Sequence, residues 1–171
     1  MTDTSWYPIN YYIQPHYKTM PEYLRVEDAA IMRLTGTKRQ LFWKRCRDSG
    51  LAEWAPTGIN LKVQEVVQGY RRQRVTLNLA DTQTGGDASH CFEDCEPCFD
   101  KTACDWIHIK WDAFEQCFQA RNSGKLKYWV AHEFGHSLGF GHGGDGIMDE
   151  TPDHAVVNDE EIAAAKDYWD L

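Results

Sequence analysis

The sequence predicts a single domain of α/β or α+β class over residues 1–171, and three observations carry that prediction. Short runs alternate apolar and polar residues at period two, as half-buried strands do. Longer runs later in the chain repeat their apolar residues every three or four positions, as helices do. The length of 171 residues, with 42% hydrophobic residues including 7 Trp, 8 Tyr and 7 Phe, suffices for one compact core.

Taken in order, Ile9 to Ile13 is β-prone and reads as a first strand. From about Pro21 to Trp54 the chain reads as helical, broken once near Thr35-Gly36-Thr37. This segment carries Lys38, Arg39, Lys44, Arg45 and Arg47, for which a solvated helix face is expected over a basic binding site. Ile59, Leu61 and Val63 alternate with polar residues, as do Val75, Leu77 and Leu79, and then Ile107, Ile109 and Trp111. Each of these runs predicts a strand. Between the last two lies an irregular stretch with Gly85-Gly86 and a cysteine cluster. A helix is expected from Ser123 as N-cap, with Leu126, Val130 and Phe134 as its buried stripe and Gly139 and Gly141 as its stop. A last helix is expected over Asn158 to Trp169, capped by Asn158 or Asp159, with Ile162, Ala165 and Trp169 inward.

A net charge of -8 gives a nucleic-acid role no support. No apolar run approaches the roughly 20 residues needed for a transmembrane helix. Met1 to Asn10 lacks a basic stretch followed by an apolar one, so no cleavable secretory signal is expected in the chain as given.

The chemistry concentrates in Trp129-Val-Ala-His132-Glu133-Phe-Gly-His136-Ser-Leu-Gly139-Phe-Gly-His142. Positions four apart share a helix face, so His132 and His136 can face one ion. A left-handed turn at Gly139 can return the chain and add His142, giving three ligands with the fourth position open, the pattern of a catalytic Zn2+. Glu133 is then the candidate general base. The extended pattern H-E-x-x-H-x-x-G-x-x-H fixes five positions and is far more specific than its first half.

This stretch resembles the zinc motif of the metzincin metallopeptidases, and Gly146-Ile147-Met148-Asp149 resembles their Met-turn. Within the clan, Val130 to Gly139 is similar to the active-site helix of matrixins. Asn158 to Ile162 with Tyr168 resembles their last helix, and Trp54 resembles the tryptophan ending their first. The likeness is strong over residues 124–171 and weak before. It implies an α+β fold with a twisted mixed β-sheet, an active-site helix, a Met-turn and a C-terminal helix. It further implies a zinc-dependent endopeptidase acting on protein or peptide substrates, with Met148 as an apolar floor that binds no metal. Ala88 to Phe92 would be the edge strand that receives the substrate, and Pro152, Val156 and Val157 would lie near the specificity pocket wall. The chain departs from matrixins in lacking a Pro-Arg-Cys-Gly-x-Pro-Asp segment and in carrying Gly143 where they usually have serine. No tyrosine stands two places after Met148, which argues against a tyrosine ligand of the astacin kind. No acidic loop matches a calcium site.

Six cysteines remain to be placed. Cys91, Cys95, Cys98 and Cys104 fall in one loop, where two disulfides, a second structural zinc held by four thiolates, and free thiols all stay open. Cys46 and Cys117 could pair or remain buried thiols. His90 and His108 fall near matrixin structural-zinc positions, but without the matching partners a satisfied surface or core histidine is expected; His16 and His154 have no motif context. Extracellular or particle-associated action suits the resemblance, while oligomeric state, substrate and latency have no signal in the sequence. The competing readings are a catalytically silent zinc-binding module in a larger assembly, and an aminopeptidase or small amidase with the same metal chemistry.

Overall fold

The structure, a computed structural model, describes residues 22–65, 74–80, 87–92, 105–150 and 156–171. The strand expected at Ile9 to Ile13, Gly85-Gly86, His16, His154, Pro152 and the cysteines Cys95, Cys98 and Cys104 lie outside these residues, as does the Cys91 side chain.

Five strands form one mixed sheet: β1 (Leu24–Asp28), β2 (Leu61–Gln64), β3 (Arg74–Ala80), β4 (Ala88–Phe92) and β5 (Asp105–Lys110). Their order is β2-β1-β3-β5-β4. All neighbours are parallel except β4, which runs antiparallel to β5 with Ser89 opposite His108 and Cys91 opposite Trp106. Parallel neighbours need crossovers long enough to carry helices. Four helices are described: α1 (Thr37–Ala52), α2 (Trp111–Ala120), α3 (Ser123–Ser137) and α4 (Asp159–Trp169).

The alternation of Val75, Leu77 and Leu79 in β3, and of Ile107 and Ile109 in β5, puts all five side chains fully inside. β2 is an edge strand, and Lys62, Val63 and Gln64 are exposed on it. The strand read there is observed from Leu61, with Ile59 buried just before it, but the inward face expected at Val63 is exposed.

Two expectations need correction. Residues 24–28 are a strand and not part of a helix. Their charged residues disguise it: Glu27 and Asp28 are buried, and Asp28 is neutralised from a distance. Its Oδ2 accepts from Arg47 and from the Trp43 indole, both at 2.7 Å, and its Oδ1 accepts from the Ile31 amide at 3.1 Å. Trp111 is the second correction, since it opens α2 rather than extending β5. Of the basic run on α1, Arg47 is buried on Asp28, Arg39 pairs with Glu115, and Lys44 pairs with Glu65.

α1 and α3 pack together, and α3 also packs on β4 and β5. Leu126, Val130 and Phe134 form a fully buried stripe on α3. The N-cap is Asn122, whose side chain accepts from the Lys125 amide at 3.1 Å, one residue before the expected Ser123. α4 is capped by Asn158 with a reciprocal capping box to Glu161. Ala165 and Trp169 are buried and Ile162 is half-buried. Cys46 and Cys117 are buried free thiols.

Candidate metal centre

The site is built at the C-terminal end of α3. His132 and His136 are one turn apart on that helix, and the helix then ends as a Schellman turn. The Gly139 amide donates to the His136 carbonyl and the Phe140 amide to the Gly135 carbonyl, both at 3.0 Å. Gly139 sits at φ 100°, where a side chain would be strained. Two tryptophans secure this end: Trp54 donates its indole N–H to the Ala131 carbonyl and Trp169 to the Leu138 carbonyl, each at 2.9 Å. The orphan carbonyl of Leu138 is thereby satisfied inside the core.

The reversed chain brings His142 back over the helix. The three histidines each offer a nitrogen within 4.8 Å of the others'. Their ring centroids lie 4.8, 5.0 and 5.1 Å apart in pairs. His132 is buried, His136 half-buried and His142 exposed, so the cluster opens to solvent on one side.

Each ring is oriented through its Nδ1. His132 Nδ1 faces the Ile147 carbonyl at 2.7 Å, and His136 Nδ1 faces the Phe140 carbonyl at 2.6 Å. His142 Nδ1 faces a Glu150 carboxylate oxygen at 2.7 Å. Carbonyl and carboxylate oxygens only accept, so each Nδ1 carries the proton and each Nε2 keeps a lone pair. The tautomers follow from this network. His136 Nε2 and His142 Nε2 stand 3.1 Å apart. Two lone pairs cannot bond to each other. Tetrahedral ligands at the usual zinc–nitrogen length of about 2.0–2.1 Å are themselves separated by about 3.3 Å. Burial lowers the pKa of His132, against the pull of the Ile147 carbonyl. The neutral ring that a metal requires is thereby favoured.

Tyr128 lies one turn before His132. Its hydroxyl donates to the Asp149 carbonyl at 2.5 Å, and its oxygen stands 3.2 Å from His132 Nδ1 as a second, weaker acceptor. Burial, followed by the charge of Glu133, pushes its pKa up, so the phenol stays protonated. Glu133 is itself buried, adjacent to His132 on the same helix.

The segment after His142 is pinned by one carboxylate. Glu161, on α4, accepts from the amides of Ile147 and Met148 at 2.8 Å and of Asn158 at 3.0 Å. Burial raises its pKa, opposed by these three amides. Met148 is fully buried, and its sulfur lies against Gly135, the residue before His136.

The remaining sequence candidates fall as follows. Val157 is buried and its amide faces Glu53, while Val156 is exposed. Ala88 to Phe92 is an edge strand among the described residues, on the side where α3 packs. His108 is a core histidine stacked on Trp106, centroids 5.6 Å apart and planes 7° from parallel.

Three residues of this site have no assignment from sequence: Tyr128, Glu150 and Glu161. Spacing of four from His132 could have flagged Tyr128, and the Asn-x-x-Glu capping box could have flagged Glu161. Nothing in the sequence points to Glu150.

No protein-family profile matches the chain, and no curated protein does. Among solved structures, a chain of one titled "GM1 bound form of the ECX AB5 holotoxin" is similar at 15% identity, covering 86% of this chain and 71% of that one. Its TM-score is 0.43, a likeness too slight to bear on fold or function.

Proposed function

We propose that the chain is a zinc-dependent endopeptidase of metzincin type, with His132, His136 and His142 as ligands and Glu133 as general base. One observation supports the reading: three imidazoles, each with its Nδ1 engaged, bring one ring nitrogen apiece within 4.8 Å of the others in a cluster that runs from buried to exposed. The donor set fits zinc, which takes three histidine nitrogens and keeps its fourth position for catalysis. When bound, the ion would act as a Lewis acid, lowering the pKa of a water and polarising the scissile carbonyl. Glu133 would accept the proton of the attacking water and return it to the departing amine nitrogen. The carbonyls of Ile147 and Phe140 and the carboxylate of Glu150 would hold the ligand rings in place, so no reorientation is needed during a turnover. Among the described residues β4 is the last strand of the sheet, on the side where α3 packs, and an extended peptide could add to it as a further strand. Such a substrate would run alongside the histidine cluster, which suits cleavage of internal bonds better than trimming of ends.

Metal analysis of the purified protein, combined with cleavage of an unstructured protein substrate, tests this. The expected result is one tightly held zinc, and a fall of about a hundredfold or more in kcat/KM for Glu133→Gln with the zinc retained. Absence of zinc, or equal cleavage by the two proteins, would overturn the reading. Zinc without any cleavage would point to the silent binding module instead.

A further inference from the structure

A second feature lies at the other end of α3. Lys38, Leu41, Phe42 and Arg45 fall at i, i+3, i+4 and i+7 on α1 and share one helix face. The opposite face of α1, with Trp43, Cys46, Arg47 and Gly50, is buried. Facing this stripe are Phe118 and Gln119 near the end of α2, followed by Arg121. Together with Arg39 they line a groove of about 620 Å3, a volume in the usual range of ligand-binding clefts. Its floor is apolar: the Phe42 and Phe118 ring centroids are 5.6 Å apart, and Leu41 is 52% exposed.

The charge of this groove is one-sided. Arg39 is neutralised by Glu115, and its guanidinium lies 4.6 Å from the Phe118 ring centroid. Lys44, Arg47 and Lys127 elsewhere are each in ion pairs. Lys38, Arg45 and Arg121, all exposed, make no ion pair among the described residues. The chain as a whole has 26 acidic against 18 basic side chains. Three cations without an ion pair among the described residues thus surround an aromatic floor in a chain that is acidic as a whole.

We propose that this groove is an exosite that docks an acidic protein segment bearing an apolar side chain. The apolar side chain would lie on Phe42, Phe118 and Leu41, and carboxylates on either side would meet Lys38 and the guanidinium forks of Arg45 and Arg121. A long polyanion is disfavoured, because nucleic-acid affinity rests on many phosphate contacts and the net charge of -8 repels the rest of the strand. An anionic membrane is disfavoured because it sets an extended negative surface against a chain of net charge -8, whereas a short segment meets the three cations of the groove at close range. Arg121 immediately precedes the N-cap of α3, so at about 1.5 Å per residue the nearest histidine, His132, lies roughly 15 Å along that helix. The groove is thus distinct from the metal centre, at a distance one extended substrate chain can span.

Fluorescence anisotropy with a labelled peptide of Asp and Glu around a central Phe tests the proposal, with peptide integrity checked by mass spectrometry. The expected result is saturable binding that weakens with salt and is about tenfold weaker for the Asn/Gln counterpart. Lys38→Glu/Arg45→Glu should weaken binding by at least about tenfold. Lys62→Glu/Lys166→Glu, exposed on β2 and α4, makes the same change in net charge and should leave binding unchanged. Arg121→Gly guards against misfolding, since φ 55° at this position suits glycine, and it should also weaken binding. Absence of binding, equal binding of the neutral peptide, or binding that survives both groove variants would overturn the proposal. So would a DNA duplex or phosphatidylserine vesicles binding through these residues in preference to the peptide. The assay reads binding alone, so its outcome is independent of whether the metal centre cuts peptides.

Discussion

Gly135→Ala is the sharpest test of how the metal centre is supported. Gly135 lies within α3 with ordinary helical dihedrals, so helix propensity alone favours alanine by about 1 kcal/mol. The neighbours reverse that sign. A Cβ on Gly135 would stand 2.2 Å from Met148 Sδ, 3.2 Å from Met148 Cε and 2.9 Å from Trp54 Cζ2. Ordinary contact requires about 3.5–4.0 Å, so the sulfur would have to retreat by about 1.5 Å. Methionine is the most adaptable core side chain, but Met148 is fully buried and the indole of Trp54 is tethered to the Ala131 carbonyl. Overpacking of this kind costs about 3 kcal/mol at the upper end of its usual range. The net destabilisation is then about 2 kcal/mol, or roughly 4–8 °C in Tm for a chain of this size. Urea denaturation of the metal-free protein would read the stability, and competition with a chromophoric chelator would read zinc affinity, expected to fall about tenfold as His136 is displaced. Met148→Ala removes the principal obstacle, so the two substitutions should couple by at least about 1 kcal/mol in a double-mutant cycle. A Gly135→Ala protein as stable as the wild type, or strict additivity with Met148→Ala, would refute the packing argument.

Three further outcomes are expected. Tyr128→Phe removes the hydroxyl that joins α3 to the Asp149 carbonyl and leaves His132 Nδ1 only the Ile147 carbonyl; stability should drop by about 1 kcal/mol, and zinc affinity by up to about tenfold, read by calorimetry and chelator competition. Asp28→Ala strands the buried Arg47 cation and the Trp43 N–H together and should cost about 3 kcal/mol in urea unfolding, whereas an effect below about 0.5 kcal/mol would mean that Asp48 and Glu65 suffice for Arg47. The Glu115 carboxyl is held down to about 2 from 4.5, chiefly by its hydrogen bond from Arg39. A depressed carboxyl stabilises the fold above its unfolded value and loses that contribution as pH falls towards its folded one. The advantage of wild type over Glu115→Gln in urea midpoint should therefore be full at neutral pH and shrink as pH falls below 4.5. A difference that stays constant through that range would show that the ion pair contributes nothing to it.

What the sequence made legible and what it hid follow one physical division. Signals that act within a turn or two of chain were readable. Val75, Leu77 and Leu79 announce a strand by alternation alone, and Gly139 announces the end of α3 because only a left-handed residue closes a Schellman turn. The four-residue step from His132 to His136 needs nothing beyond helix geometry. Signals that depend on distant partners were hidden. Leu24–Asp28 resembled a helix because three of its five residues are charged, and the chemistry that lets Asp28 sit inside comes from Trp43 and Arg47, 15 and 19 positions on. Glu150 lies eight residues beyond the histidine it orients, across an irregular turn with no period to read. Glu161 joins the two classes: its local role as the third residue of a capping box was readable, yet the same carboxylate reaches back 13 and 14 residues to hold the backbone of Met148 and Ile147. Ile147 in turn supplies the carbonyl that orients His132. The cap of the last helix and the protonation state of the first histidine are therefore connected through one stretch of backbone. A substitution at Glu161 should consequently register in metal affinity as well as in stability, although its side chain touches none of the three rings.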